Sequence, residues 1–357
     1  MCIKTVPGLV SAMLLLGACS MEAVASNPES TAAKRELVVL NWSEYLDPEL
    51  VQEFENQFDV KIRIAYFASD DLREDIMLEM DGTGYDVVIV NGVNIDAYRR
   101  RGWLAKLEPD KIPNLKFIDS QWFNIFPASR GYAVPYFWGT LGIAYRKDLV
   151  PERLTSWNDL YTPKQYLHGK IGMIGNSRDA IGMALKSIGY SANSNDRAEL
   201  REAEQLLLKQ KPFVNTYTYL ALNKESAMVS GQVAAAMMYS GDALMLREHH
   251  ADIEYVVPVE GGNLWVDYWT VMEASENKDL ATDFLNYLNT PDNARALAEY
   301  VYYATPNKAA ADLLPDEFLS DSIIYPNVAV LEKSEPYARL SPRAEKMRNL
   351  IITRLID

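Results

Sequence analysis

The sequence predicts an α/β protein built as two lobes with a ligand cleft between them. Three observations carry this reading. Residues 36–101 alternate strand and helix patterns three times, which argues a mostly parallel sheet. A second strand and helix set occupies residues 170–258. Between them lies an aromatic, Gly-rich, strand-like stretch at 131–146 (GYAVPYFWGTLGIAYR), suited to crossing from one lobe to the other. A chain of 357 residues has the length of two domains.

Each element has its own local reason. Glu36–Asn41 is an apolar run bounded by polar residues, the pattern of a buried strand. Asp47-Pro48 starts a helix that carries Leu50, Val51, Phe54 and Phe58 at helical spacing. Lys61–Tyr66 alternates as a strand does, Asp70–Met80 is an amphipathic helix, and Gly82-Thr83-Gly84 turns the chain. Asp86–Val90 is a second buried strand, and Asn94–Arg101 a helix stopped by Gly102. Beyond the crossing stretch, Trp157–Tyr161 follows a Thr155-Ser156 cap, Lys170–Ile174 reads as a strand, and Asp179–Ile188 as a helix ended by Gly189. Asn195–Lys211 is a charged helix, and a further helix ends at His249-His250. Val233–Tyr239, Ile253–Pro258 and Trp265–Met272 are strand-like, and Asp279–Leu288 and Asn293–Tyr300 helical. Ligands of such sheets bind at the carboxyl ends of strands.

Hydrophobic residues make up 48% of the chain, enough for a large core, which excludes a disordered protein. The 35 Lys and Arg against 49 Asp and Glu leave a net charge of −14, which excludes nucleic acid as a partner and favours cations. Residues 1–25 read as a leader, whose apolar run Val6–Ala18 is too short to span a bilayer. Two cleavage readings compete. Ala23-Val24-Ala25 suits ordinary signal peptidase, whereas Leu16-Gly17-Ala18-Cys19 resembles a lipobox that would make Cys19 a lipidated first residue. Residues 26–35 form a polar lead-in, and the product is expected outside the cytoplasm, in the periplasm, with a lipid anchor on the lipobox reading.

The inventory of chemistry argues against an enzyme. Both cysteines, Cys2 and Cys19, lie in the leader, so thiol catalysis and disulfides are excluded from the mature chain. His168, His249 and His250 have no metal-ligand spacing, and no metal or other cofactor is expected. There is no GxSxG, GxxxxGK[ST] or HExxH segment. A carboxylate-based hydrolase survives only because acids are plentiful.

What the sequence does place together is aromatic residues beside acids at strand ends: Asn41-Trp42-Ser43-Glu44-Tyr45, Tyr239-Ser240-Gly241-Asp242, Trp265-Val266-Asp267, and Tyr300, Tyr302 and Tyr303. An aromatic face attracts an ammonium and covers methylenes, and a carboxylate completes a charge-assisted hydrogen bond. Acids spaced along an aromatic slot suit an alkyl chain with two or more amines.

From about Leu37 to the C-terminus the sequence resembles the periplasmic polyamine-binding proteins, the spermidine and putrescine receptors of ABC transporters. The matching segments are NWSEY at 41–45, YDVV at 85–88, VPYFWGT at 134–140, SWNDL at 156–160, EGG at 260–262, WVD at 265–267 and ATPNKAA at 304–310. The resemblance implies a type II clamshell, each lobe a mixed sheet flanked by helices, with 36–142 and about 268–312 in the first lobe and 143–267 and about 313–357 in the second. It implies that Trp42, Ser43, Glu44 and Tyr45 line the slot, that Trp265 stacks on the ligand chain, and that Asp267 binds an amine. Asp179 matches a helix-start carboxylate, Asp242 an acid of putrescine-type members, Tyr303 a family tyrosine, and Tyr337 falls near a polar ligand position.

Three positions depart from the family. Tyr239 replaces a Trp, and Asn176 replaces an additional Asp of spermidine-type members. Asn91 opens a 91–94 segment (NGVN) that is usually rich in Ser, Thr and Tyr. The expected partner is a membrane ABC permease, or a membrane cyclic-di-GMP enzyme if the receptor senses rather than transports, and the expected state is a monomer. A clamshell with a different cationic ligand is a further alternative.

Overall fold

The computed structural model describes residues 34–356; the leader, Cys19 and most of the lead-in lie outside them. Among the described residues nine strands form: β1 (Arg35–Trp42), β2 (Val60–Phe67), β3 (Val87–Asn91), β4 (Ala133–Arg146), β5 (Ile171–Gly172), β6 (Val214–Thr216), β7 (Ala235–Tyr239), β8 (Ile253–Val256) and β9 (Leu264–Val271).

The first lobe is a sheet in the order β2-β1-β3-β9-β4. Its first three strands are parallel, as the alternating pattern predicts. The intervening helices start and stop where the sequence supplies caps. Asp47 Oδ1 accepts the Glu49 N–H at 2.9 Å ahead of the Pro48–Phe58 helix, and Ser69 caps Asp70–Glu79. Gly102, at φ 75°, ends Ile95–Arg101. β9 is antiparallel to both β3 and β4, so the sheet is mixed rather than mostly parallel.

β4 joins the lobes. Residues 133–140 pair with β9, and residues 141–146 continue into a second sheet, β8-β4-β7-β5-β6. All fourteen residues of β4 are buried. Beyond the crossing its side chains alternate between two cores: Leu141, Ile143 and Tyr145 enter one, and Ala144 the other.

The expected lobe boundaries differ in two places. Residues 264–267 hydrogen-bond in the first sheet, because β9 pairs with β4 before the crossing. Leu314, Ile323 and Ile324 pack into the first core, so the return to the second lobe falls after 313. The chain then runs beside Asn263 at Glu335 and ends in the helix Pro342–Ile356, which the sequence reading did not include; Leu340, Ala344, Ile351 and Leu355 seat it on the second core.

Candidate binding site between the lobes

Strand direction decides which residues meet at the crossing. The parallel strands β1, β2 and β3 end there with Trp42, Phe67 and Asn91. β9 runs the other way, so its first residues lie at the same edge: Asp267 is in register with Asn91 on one side and Phe137 on the other. From the second sheet, Leu141 faces Tyr239, the last residue of β7. The lobes touch across the cleft. Val93, from the first lobe, packs on the second core, and Tyr239 touches both.

Three carboxylates are held in this cleft. Asp179 opens the Asp179–Ser187 helix and is 1% exposed. It accepts hydrogen bonds from Asn176 Nδ2 (2.5 Å), Tyr337 Oη (2.6 Å) and Tyr239 Oη (3.0 Å). Burial raises its pKa, and the three donors oppose the rise. Asp242, half-buried, accepts from Tyr303 Oη at 3.2 Å, and burial pushes it up to about 6. Asp267, 7% exposed, accepts from Tyr45 Oη at 3.2 Å. Burial pushes it up to about 7, with the Asp70 charge adding to the rise and Arg73 and the Tyr45 hydrogen bond opposing it. Among the described residues, none of the three forms an ion pair with Lys, Arg or His; their partners are neutral hydroxyl and amide donors.

Aromatic rings connect the acids. Trp265 meets Tyr303 edge-on at 4.8 Å and Tyr239 edge-on at 6.2 Å, and Tyr303 meets Tyr45 at 6.0 Å. Tyr219 lies parallel to Tyr239 at 6.5 Å. The Trp265 indole Nε1 is buried without a partner. Two glycines make room for this wall. A Cβ on Gly139 would stand 2.6 Å from the Trp265 ring, and one on Gly241 would stand 2.3 Å from Tyr303.

The structure therefore gathers Tyr45, Asn176, Asp179, Tyr239, Asp242, Trp265, Asp267, Tyr303 and Tyr337 into one connected cluster. Other expected residues are not linked to it by a side-chain hydrogen bond or ring contact among the described residues. Glu44 is exposed, sits in left-handed backbone (φ 54°), and accepts from Tyr300 Oη at 3.0 Å. Ser43 is exposed beside it. Trp42 packs its ring on Phe67 at 4.3 Å. Asn91 spends its side chain on the Val93 N–H. Three residues at the cleft were not anticipated. Asp70 and Arg73 belong to the first turn after β2, and Tyr219 is 52% exposed on a loop after β6. The available signal for Asp70 was an acid at a strand's carboxyl end.

Two α/β lobes that share a crossing strand, with an aromatic and acidic cleft at the crossing, make a solute-binding clamshell. The comparisons agree. Residues 49–326 match the family described as bacterial extracellular solute-binding protein. The chain is 31% identical over 301 residues to the spermidine/putrescine-binding periplasmic protein of Salmonella typhimurium, covering 84% of this chain and 85% of the relative. It is 31% identical over 296 residues to the norspermidine sensor of Vibrio cholerae, covering 82% and 81%. The solved spermidine/putrescine ABC transporter substrate-binding protein PotD of Streptococcus pneumoniae superposes with a TM-score of 0.80 at 31% identity, covering 90% of this chain and 98% of that one. The protein thus belongs to the bacterial extracellular solute-binding protein family, and its resemblance to the polyamine-binding periplasmic proteins runs through most of the chain.

Proposed function

We propose that the protein is a periplasmic receptor for linear polyamines that closes on its ligand and presents it to a membrane ABC permease. One observation carries this reading: Asp179 and Asp267, buried, and Asp242, half-buried, face an aromatic slot, and among the described residues no cationic side chain is paired to them. Burying a carboxylate costs several kcal/mol unless a counter-charge arrives. An ammonium at each end of a short alkyl chain supplies that charge, and Trp265, Tyr239 and Tyr303 cover the methylenes between at ~0.8 kcal/mol per buried CH₂. Closure then follows as a shift of population toward the liganded form. The relatives' names support both the ligand class and the compartment. The norspermidine sensor among them supports signalling as a second output for the same cleft.

Calorimetric titration with putrescine, cadaverine, norspermidine, spermidine and spermine tests the ligand. One-to-one binding of at least one of them is expected, and no heat from any overturns the reading. Uptake in a deletion strain tests the output: reduced uptake supports transport, and unchanged uptake favours signalling.

A pH dependence follows from the same acids. A carboxyl whose pKa is raised by folding holds more protons in the folded than in the unfolded state, so stability falls as pH rises from its unfolded value through its folded one. Asp242 and Asp267 place that window at pH 4 to 7. Asp119, Asp148, Glu152, Asp279 and Glu335, whose pKa values are lowered chiefly by hydrogen bonds, act in the opposite sense, on the acid side of the ordinary carboxylate range. The ligand-free protein is expected to melt at a higher temperature at pH 5 than at pH 7.5. Polyamine affinity should move the opposite way, rising over the same interval with release of protons from the protein. Calorimetry in buffers of different ionisation enthalpy reads that release, and a pH-independent affinity between 5 and 7.5 would contradict the assignment.

A further inference from the structure

Beside this acidic cleft the chain buries an arginine of its own. Arg73 is fully buried, an unusual place for an arginine in the first turns of a surface helix. Its Nη1 lies 2.5 Å from Asp70 Oδ1 and has no other partner among the described residues, and its Nη2 lies 2.9 Å from Glu74 Oε1. The guanidinium sits 5.4 Å over the Phe67 ring, which in turn packs on Trp42. Glu74 Oε1 also accepts from Asn94 Nδ2 (2.9 Å) and Tyr98 Oη (3.0 Å), which fixes the pair against the turn after β3. The group is therefore wedged between the carboxyl ends of β2 and β3, the edge on which Asp267 lies. A carboxylate in front and an aromatic face behind are what the slot offers a ligand ammonium.

We infer that Arg73 is a specificity-determining residue: it occupies the place of one ligand ammonium at the β2–β3 end of the slot, so the site takes diamines in preference to triamines. This rests on the polyamine reading above. With Asp70 engaged by Arg73, the first lobe leaves Asp267 for the ligand, and the second lobe supplies Asp179 and Asp242. A diamine bridges the two lobes. The third amine of a longer ligand, extended past Asp267, meets the like charge of Arg73 and a filled volume.

The test is calorimetric titration of the parent protein, Arg73→Met and Arg73→Lys with putrescine, cadaverine, norspermidine and spermidine at pH 7.5, with thermal melts as fold controls. The parent is expected to bind its best diamine at least tenfold more tightly than either triamine. Arg73→Met removes the charge and should shift that ratio at least tenfold toward triamines, whereas Arg73→Lys should keep the parent's order. A merely structural arginine would lower all four affinities together and leave the ratio unmoved. An unchanged ratio in a folded Arg73→Met protein overturns the inference. A parent that binds triamines more tightly than diamines also overturns it, without reference to any variant, and leaves the polyamine reading standing. Failure of all four ligands to bind the parent overturns that reading itself.

Discussion

Asp267→Asn is expected to weaken polyamine binding by roughly 10- to 100-fold, as the loss of a charged hydrogen-bond partner implies, and at the same time to raise the melting temperature of the ligand-free protein at pH 7.5. The two effects have one cause. Asp267 is buried in β9 between Asn91 and Phe137, and among the described residues its only side-chain hydrogen-bond donor is the neutral Tyr45 hydroxyl. Burial makes its charge costly without ligand and pushes its pKa up to about 7, and the same charge is useful with one. Asparagine keeps the shape and still accepts from Tyr45, but it removes the charge. A carboxylate present for folding alone would behave the other way: its substitution would destabilise the free protein and leave affinity unaltered. Calorimetry with thermal melts separates the two accounts.

Trp265→Ala should have the second large effect, abolishing measurable binding and costing about 3–5 kcal/mol of stability, the usual result of removing a buried aromatic. Trp265 holds the slot together from its middle, touching Tyr303 on one side and Tyr239 on the other. Those tyrosines present their hydroxyls to Asp242 and Asp179. Loss of the ring removes the surface against which a ligand chain lies and frees the two rings that hold the acids. Trp265→Phe, which keeps an aromatic face, should retain most of the stability and part of the affinity. A Trp265→Ala protein that binds as the parent does would show that the slot lies elsewhere.

Much of this architecture could be read from the chain. Strands of the first sheet announce themselves as apolar runs such as Leu37–Leu40, and the helices between them by caps such as Asp47-Pro48 and Gly102. Those are local signals, and local periodicity reports an element without naming its neighbour. For that reason β9 was legible as a strand, whereas its antiparallel seat between β3 and β4 was not. The terminal helix was missed because Arg348 lies on its inner face, 1% exposed and donating to the Ala192 and Ser194 carbonyls, which breaks the apolar stripe.

In the candidate site, the pattern of acids next to aromatics at strand ends singles out Asp242, Trp265 and Asp267, which the fold brings into one cluster. Glu44 carries the same pattern but is turned away by left-handed backbone. Asp70 and Arg73 read as an ordinary capped helix start, and only the position of that helix beside β3 gives them a place at the cleft.

In the proposed function, Asp267 and Trp265 hold one end of a polyamine between the lobes. A crystal structure of the protein grown with putrescine tests it most directly. A terminal nitrogen is expected within hydrogen-bond distance of an Asp267 carboxylate oxygen, with the carbon chain lying along the Trp265 ring and the far nitrogen near Asp179 or Asp242. A ligand bound away from Asp267 and Trp265, or a cleft that closes without one under saturating putrescine, would contradict it.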